Sequence, residues 1–187
     1  MTSPSFRDVL RAAEGFALFD TPVGACAIAW SADGRIAGTQ LPEASEAKTR
    51  ARMRARLPGT PEAPPPAEVR RVIDAVTALL RGERVDLSTI SLDMDGVSPF
   101  HRCVYEVART VPPGATLTYG AIATRLGDPG AARAVGQALG QNPFGIIVPC
   151  HRILAAGGRM GGFSANGGTV TKQRLLAIEG AALPLGS

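Results

Sequence analysis

Cys150 and His151 stand side by side in Ile146-Ile147-Val148-Pro149-Cys150-His151-Arg152-Ile153. A thiol next to an imidazole can do chemistry. The thiolate is the nucleophilic form, and a nearby base or cation is the usual way to obtain it at neutral pH. The apolar run before the pair reads as a buried strand, stopped by Pro149, which fixes φ and removes a backbone donor. The pair then falls where a strand gives way to a turn. Two blander readings stand beside this one. Free Cys is among the most buried residue types, so Cys150 also reads as a small core hydrophobe. His101 and Cys103 supply two further donors for a zinc set, although the spacing departs from the usual ligand pairs.

Several elements are placed to position that pair. Thr118 reads as the cap of a helix over Tyr119 to Leu126. Gly127-Asp128-Pro129-Gly130 is a tight turn, and Ala131 to Gln141 is a second helix, the size and punctuation of a helix-turn-helix. Its second helix is slim, with Ala131, Ala132, Ala134, Gly136, Ala138 and Gly140. Val135 and Leu139 anchor one side, while Arg133, Gln137 and Gln141 recur every four residues as one polar face. A slim helix with one outer arginine suits close approach to a nucleic-acid groove, and equally a small packed helix with a wet face. After the Cys-His pair comes a glycine-rich stretch, Gly157 to Gly168, with no Gly-Lys-Ser/Thr of a P-loop. Thr171 reads as the cap of a last helix with Leu175, Leu176 and Ile178 inward, ending at Glu179-Gly180. A glutamate in a last turn opposes the helix dipole by roughly 0.3–1 kcal/mol, so something beyond helix stability is expected to hold Glu179.

The rest of the chain bounds the class. At 187 residues it is one domain or two small ones, and 45% hydrophobic content supports a core. No apolar run approaches a membrane span, and Met1 to Arg11 shows no secretory signal. Three cysteines argue against a disulfide framework and for a reducing compartment, here the cytoplasm. Met1 to Gly96 carries 12 Lys/Arg against 13 Asp/Glu, and Val97 to Ser187 carries 8 against 3. The basic surplus lies in the half with Cys150, as an anionic backbone partner would require. Phe16 to Pro42 reads as a hairpin turning at Ser31-Ala32-Asp33-Gly34. Glu43 to Leu57 reads as a short helix whose Lys48, Arg50, Arg52, Arg54 and Arg56 scatter around it as a solvated surface. Pro58 to Pro66 is a loop, Glu68 to Arg81 a helix closed by Gly82, and Val85 to Met94 a third strand. Asp95-Gly96 marks a boundary, giving domains 1–96 and 97–187. Ser98-Pro99 starts a helix with Phe100, Val104, Val107, Ala108 and Val111 as its buried face.

In this order the strings Thr118-Tyr119-Gly120, Ala132-Arg133-Ala134-Val135-Gly136, Asn142-Pro143, Ile147-Val148-Pro149-Cys150-His151-Arg152 and Ile178-Glu179-Gly180 resemble the O6-alkylguanine-DNA alkyltransferases. The likeness covers nearly all of residues 97–182. The N-terminal part resembles that family's ribonuclease-H-like domain more weakly, through Asp20-Thr21-Pro22-Val23-Gly24 and the hairpin. The resemblance implies an α/β (α+β) chain, a small-sheet domain followed by a mainly helical one. It implies a monomer that binds duplex DNA in the minor groove and moves the alkyl group of O6-alkylguanine, and of O4-alkylthymine, irreversibly to Cys150. Each molecule acts once, with no cofactor. Some relatives bind zinc in the N-terminal domain, but with only His101 and His151 in this chain and Cys26 the single N-terminal cysteine, no metal site is expected. His151 is the implied base, Glu179 its orienter, and Asn142 a member of the same network. Arg133 fills the gap left by the extruded base, on a helix face with Ala132, Gly136 and Gln137. Tyr119 bonds the flipped guanine and donates a proton. Ile153, Phe163, Ser164, Gly145 and Leu139 complete the pocket, with the carbonyls of Cys150 and Ile153 facing the exocyclic amine. Gly145 stands where the family often has proline, His101 where glutamine is common, and Tyr105 where tryptophan is common. A silent damage sensor, a major-groove regulator and a cysteine hydrolase are the competing readings.

Overall fold

The computed structural model describes residues 13–182; the expectation for Met1 to Arg11 lies outside them. Strands β1 (Ala13–Thr21), β2 (Gly24–Ser31) and β3 (Ile36–Gln40) form an antiparallel meander in the order β1-β2-β3. The expected turn is present: the Gly34 N–H donates to Ser31 O at 2.9 Å, with Gly34 at φ +80°, a backbone shape open to glycine. Side chains alternate across a strand, and β2 uses both faces. Ala27 and Ala29 pack with Phe16, Ala37, Met53 and Leu57, under helix α1 (Glu46–Arg56). Ile28 and Trp30 join the main core, which runs on through helices α2 (Ala67–Leu80) and α3 (Pro99–Arg109) into the C-terminal half. That core therefore spans both sides of the Asp95-Gly96 break.

The C-terminal half is built around small devices. Ser98 caps α3, accepting from the His101 N–H. Thr118 caps α4 (Tyr119–Arg125), accepting from the Ala121 N–H. After the turn at Pro129–Ala131 comes α5 (Ala132–Gly140), with Val135, Ala138 and Leu139 buried and Arg133 and Gln137 on its outer side. Strand β4 (Leu117–Thr118) pairs in parallel with β5 (Ile153–Leu154). This two-residue ladder ties the start of the helix-turn-helix to the residues just after the Cys-His pair. Helix α6 (Gly168–Ile178) closes the fold.

Four expectations are corrected. Ile146 to Val148 is buried, but it is a tight turn and not a strand. Ile146 sits at φ +73°, and the Val148 N–H donates back to Phe144 O at 2.8 Å. Pro149 is followed by a 3-10 turn, Cys150–Arg152, and the strand comes afterwards as β5. Val85 to Met94 is not a strand either. Asp86 accepts from the Ser88 N–H and bends the chain, and only a bridge from Leu92 to Ile36 remains of the pairing. Phe100 is exposed, because it lies on the first turn of α3, beyond the Val104–Tyr105–Ala108 face that packs. Thr171 does not cap α6. Gly167 does, in a left-handed conformation, and Thr171 Oγ1 donates to Asn166 O from inside the first turn.

Tyr105 is fully buried and its hydroxyl donates to Ala138 O at 2.9 Å, locking α3 to α5. Removing only that hydroxyl in Tyr105→Phe is expected to cost about 1 kcal/mol, the usual net worth of one such bond. Urea unfolding is expected to show a lower midpoint at an unchanged slope.

Candidate active site

Three elements meet at Cys150. The short β4–β5 ladder brings Tyr119, the first residue of α4, over the Cys-His turn. Helix α5 forms a second wall. The glycine-rich loop forms the third and lies directly on the tyrosine ring: a Cβ at Gly161 would come within 3.1 Å of the ring and of Oη, and φ there is +65°. No other residue type fits that approach without moving the ring. Together they enclose a cavity of about 570 Å³, lined by Tyr119, Ala132, Arg133, Gly136, Gln137, Leu139, Gly140, Cys150, Gly162, Phe163 and Ser164. Arg133, on the outer side of α5, stands at its rim. The half-buried Cys150 is the one cysteine among the lining residues.

Beneath the cavity lies a buried charge cluster. His151 is 1% exposed and its Nε2 is 2.8 Å from Glu179 Oε1. Arg152 grips the same carboxylate with two bonds, Nε to Oε2 at 2.8 Å and Nη2 to Oε1 at 2.9 Å. Its Nη1 donates to Val111 O at 2.6 Å, at the end of α3. Burial opposes the Glu179 charge, but the hydrogen bonds from His151 and Arg152 overrule it and hold the carboxyl down at about 2. Burial pulls His151 below its ordinary value, against the pull of Glu179. His151 Nδ1 is buried and has no hydrogen-bond partner among the described residues. Burial pushes the Cys150 thiol up, opposed by a hydrogen bond from Asn142 and the charge of Lys172.

Asn142 shapes the turn from inside. Its amide donates to Val148 O at 2.9 Å, and its Oδ1 accepts from the Phe144 N–H at 2.9 Å. The N-terminal sheet grips the same turn from outside. The Thr39 N–H donates to Pro143 O and Thr39 Oγ1 to Gly145 O, both at 2.8 Å. Arg56 Nη1 donates to Thr39 O at 2.7 Å, and burial lowers Arg56 to about 10. The sequence places Arg56 in a solvated run. It is instead a strut, held by the β3 backbone.

Most sequence-selected residues come together here. Cys150, Tyr119, Arg133, Gln137, Ala132, Gly136, Leu139, Phe163 and Ser164 line the cavity, and His151 and Glu179 lie under it. Two stand apart. Gly145 lines an adjoining cleft of about 310 Å³ that also reaches Cys150 and Asn142. Ile153 is buried in the core, and its carbonyl already accepts from Lys172 Nζ at 2.5 Å. Sequence reasoning gives no role to Lys172 or Arg152. Lys172 is fully buried, its ammonium is 5.8 Å from the centre of the Tyr119 ring, and burial lowers it to about 8. The sequence does carry a signal for it: Lys172 is three and four residues before the inward Leu175 and Leu176, a core position for a charged side chain. Among the described residues no three His, Cys, Asp or Glu side chains gather as a metal set, and no helix is long and apolar enough to cross a membrane.

The family profile described as the DNA binding domain of 6-O-methylguanine DNA methyltransferase matches residues 99–181. The methylated-DNA–protein-cysteine methyltransferase of Methanothermobacter thermautotrophicus is 38% identical over 119 residues, 64% of this chain but only 65% of that relative's length. The protein of the same name from Mycobacterium tuberculosis is 40% identical over 121 residues, 65% of this chain and 71% of the relative. A DNA base-flipping protein of Thermus thermophilus is 46% identical over 111 residues, 59% of this chain and 73% of that protein. The crystal structure of Mycobacterium tuberculosis OGT in complex with DNA superposes with a TM-score of 0.70 at 34% identity, over 89% of this chain and 92% of that one. On this likeness of sequence and fold, the chain belongs to the 6-O-methylguanine DNA methyltransferase family.

Proposed function

We propose that this protein repairs O6-alkylguanine in duplex DNA by taking the alkyl group onto its own Cys150, irreversibly and once per molecule. The observation that carries the reading is the order of charges under the cavity. Glu179, held at about 2, is an ionised acceptor, so the His151 Nε2 facing it at 2.8 Å carries the N–H. A neutral imidazole has one N–H only, which leaves the lone pair on Nδ1. That nitrogen has no other partner among the described residues, so it is free to act as the base for the neighbouring thiol. Arg152 already balances Glu179, and the imidazolium formed on proton uptake is then stabilised from behind, as in other nucleophile–base–orienter sets.

The step balances. The Cys150 proton passes to His151 Nδ1 by way of a water. The sulfur attacks the alkyl carbon, an S–C bond forms and the C–O6 bond breaks. Guanine takes a proton from Tyr119, whose hydroxyl is kept protonated by burial and by the nearby thiolate. The imidazolium restores that proton, so the thiol hydrogen ends on guanine. The product thioether has no route back, which makes the protein single-use. O4-alkylthymine presents the same alkyl–oxygen bond and is the second substrate of this reading.

The target atom is inside the duplex, so the base must be extruded at a cost of a few kcal/mol. Arg133 replaces it in the stack. Helix α5 enters the minor groove, where its Ala and Gly surface permits contact and little sequence is read. Gln137, Ala132 and Gly136 lie along the strand. Leu139, Phe163 and Ser164 hold the guanine, with the carbonyl of Cys150 toward its amine. Gly145 and its cleft give room to the alkyl group. The protein acts as a cytoplasmic monomer without cofactor. The likeness to a base-flipping protein supports a silent sensor as a second reading, and a thiol at the cavity floor argues for transfer.

One equivalent of duplex carrying O6-methylguanine is expected to add one methyl mass to the folded, reduced protein, mapped to Cys150 by peptide mass spectrometry. An unchanged intact mass would leave the sensor reading. Arg133→Ala is expected to slow transfer from duplex at least about tenfold more than transfer from free O6-benzylguanine, since extrusion costs a few kcal/mol only in the stacked duplex; equal effects on both substrates would remove the extrusion role.

The same protonation states set the acid response of the fold. His151 is held below its ordinary value near 6.5, so the unfolded chain takes up that proton first as pH falls. Its contribution is present above about 6.5 and declines below it. Glu179 acts in the same sense lower down, its contribution present above 4.5 and lost as pH falls toward about 2. Lys172, lowered to about 8, loses its contribution as pH falls through 8, so urea midpoints are expected to level off only near pH 7, to fall below about pH 6.5, and to fall again below about pH 4.5. Glu179→Gln is expected to shrink the lower of the two declines, leaving the part carried by Asp33 and Asp86, which are also held below the usual carboxylate range.

A further inference from the structure

Helix α1 carries five cations, and they divide into two groups. Arg50 binds Glu46 at 2.7 Å and Glu62 at 3.0 Å, and Arg54 binds Glu62 at 3.2 Å. Arg56 is half-buried and bonded to the β3 backbone. Lys48 and Arg52 have no ion pair or side-chain hydrogen bond among the described residues, and both are exposed. They are four apart and so lie on one face. That face lines a groove of about 400 Å³ whose opposite wall is Ser164, Ala165 and Asn166; Glu43 also lines it, with its carboxylate accepting from Gln40 Nε2 at 3.1 Å, and leaves the groove one net positive charge. Ser164 also lines the main cavity, on the loop across from Arg133. Arg52 further lines the cleft that reaches Cys150. Two unpaired cations therefore stand on the side of the pocket mouth opposite α5, although they belong to the N-terminal half, which has no basic surplus.

We infer that Lys48 and Arg52 form a phosphate clamp for the DNA strand that carries the lesion. This rests on the repair reading above. A nucleotide whose base enters over Ser164 leaves its flanking phosphates outside the pocket loop. Arg133 and α5 hold the duplex on one side of that loop. The groove between Lys48, Arg52 and Asn166 offers a cationic seat on the other. Exposed and unpaired side chains suit this role, since each has no internal bond to give up on meeting a phosphate. The clamp reads no sequence, because a phosphate carries none. It gives the N-terminal half a direct part in substrate binding.

The test uses the full chain with Cys150→Ser in every protein, so that binding is read without transfer. Affinity for a duplex carrying O6-methylguanine is measured against salt. Removing one cation–phosphate pair lowers the slope of log K against log salt by roughly 0.9. Lys48→Gln/Arg52→Gln is expected to lower it by about 1.8, and each single change by about half of that. Arg70→Gln/Arg71→Gln removes the same charge from α2 and is expected to leave the slope as it was. The exchange Lys48→Arg/Arg52→Lys is expected to keep it too. An unchanged slope in the first double variant, or an equal drop in both double variants, overturns the clamp. A reduced slope in the exchange variant overturns it as well, since charge would then not be the cause. If the wild-type protein takes no alkyl group from duplex DNA, the repair reading fails, and the slope still reports on the phosphate clamp by itself.

Discussion

A carboxylate taken out of water needs opposite charge and hydrogen bonds together, and Glu179 receives both. Arg152 binds it through two nitrogens and His151 through one. Breaking a buried pair by removing one partner costs about 3–5 kcal/mol. The unfavourable placement of a glutamate at a helix C-terminus costs only roughly 0.3–1 kcal/mol. The cluster wins that comparison, which accounts for the glutamate at the end of α6. Its geometric consequences reach further. Arg152 also donates to Val111 O, so one guanidinium fixes the end of α6, the Cys-His turn and the end of α3 to each other. The thiol can be placed accurately only because the residues after it are fixed in this way.

The turn before Cys150 is held by different means. Ile146 is a β-branched residue at φ +73°, a conformation that costs on the order of 1–3 kcal/mol and persists only where surroundings impose it. Those surroundings are visible. Asn142 bonds the turn from within through Val148 O, and Thr39 bonds it from without through Pro143 O and Gly145 O. Arg56 braces the strand that carries Thr39. The N-terminal sheet is thus a support for the turn before Cys150, and the core is continuous between the two halves.

The C-terminal half is legible in the sequence because its devices are local. Ser98 and Thr118 cap helices by bonds to residues three positions away, and α5 declares its slim face by composition. Glu179 is legible as an anomaly, a charge at the wrong end of a helix. The two misread strands have one origin. Ile146 to Val148 and Val85 to Met94 both have strand-like apolar content, yet an inward turn and a bent segment bury the same side chains. Apolar content records burial and not backbone shape. Arg56 and Lys172 are illegible as parts of the site for the complementary reason. Their partners include carbonyls on distant segments, Thr39 and Ile153, and a backbone carbonyl leaves no mark in a sequence.

The protonation states also bear on selectivity. On the repair reading Cys150 is a single-use acceptor, and any stray electrophile that meets a free thiolate would waste it. Burial raises the Cys150 thiol and so favours the neutral, less reactive form at rest. His151 is itself favoured in its neutral form by burial, with Glu179 and Arg152 already in balance behind it. Charge separation between sulfur and imidazole is therefore unfavourable until something rewards it. A bound base excludes water from the cavity, strengthens every interaction within it, and brings an alkyl carbon to the sulfur. On the repair reading, the reactivity of Cys150 is then a property of the filled site, and the empty protein keeps that thiol unspent.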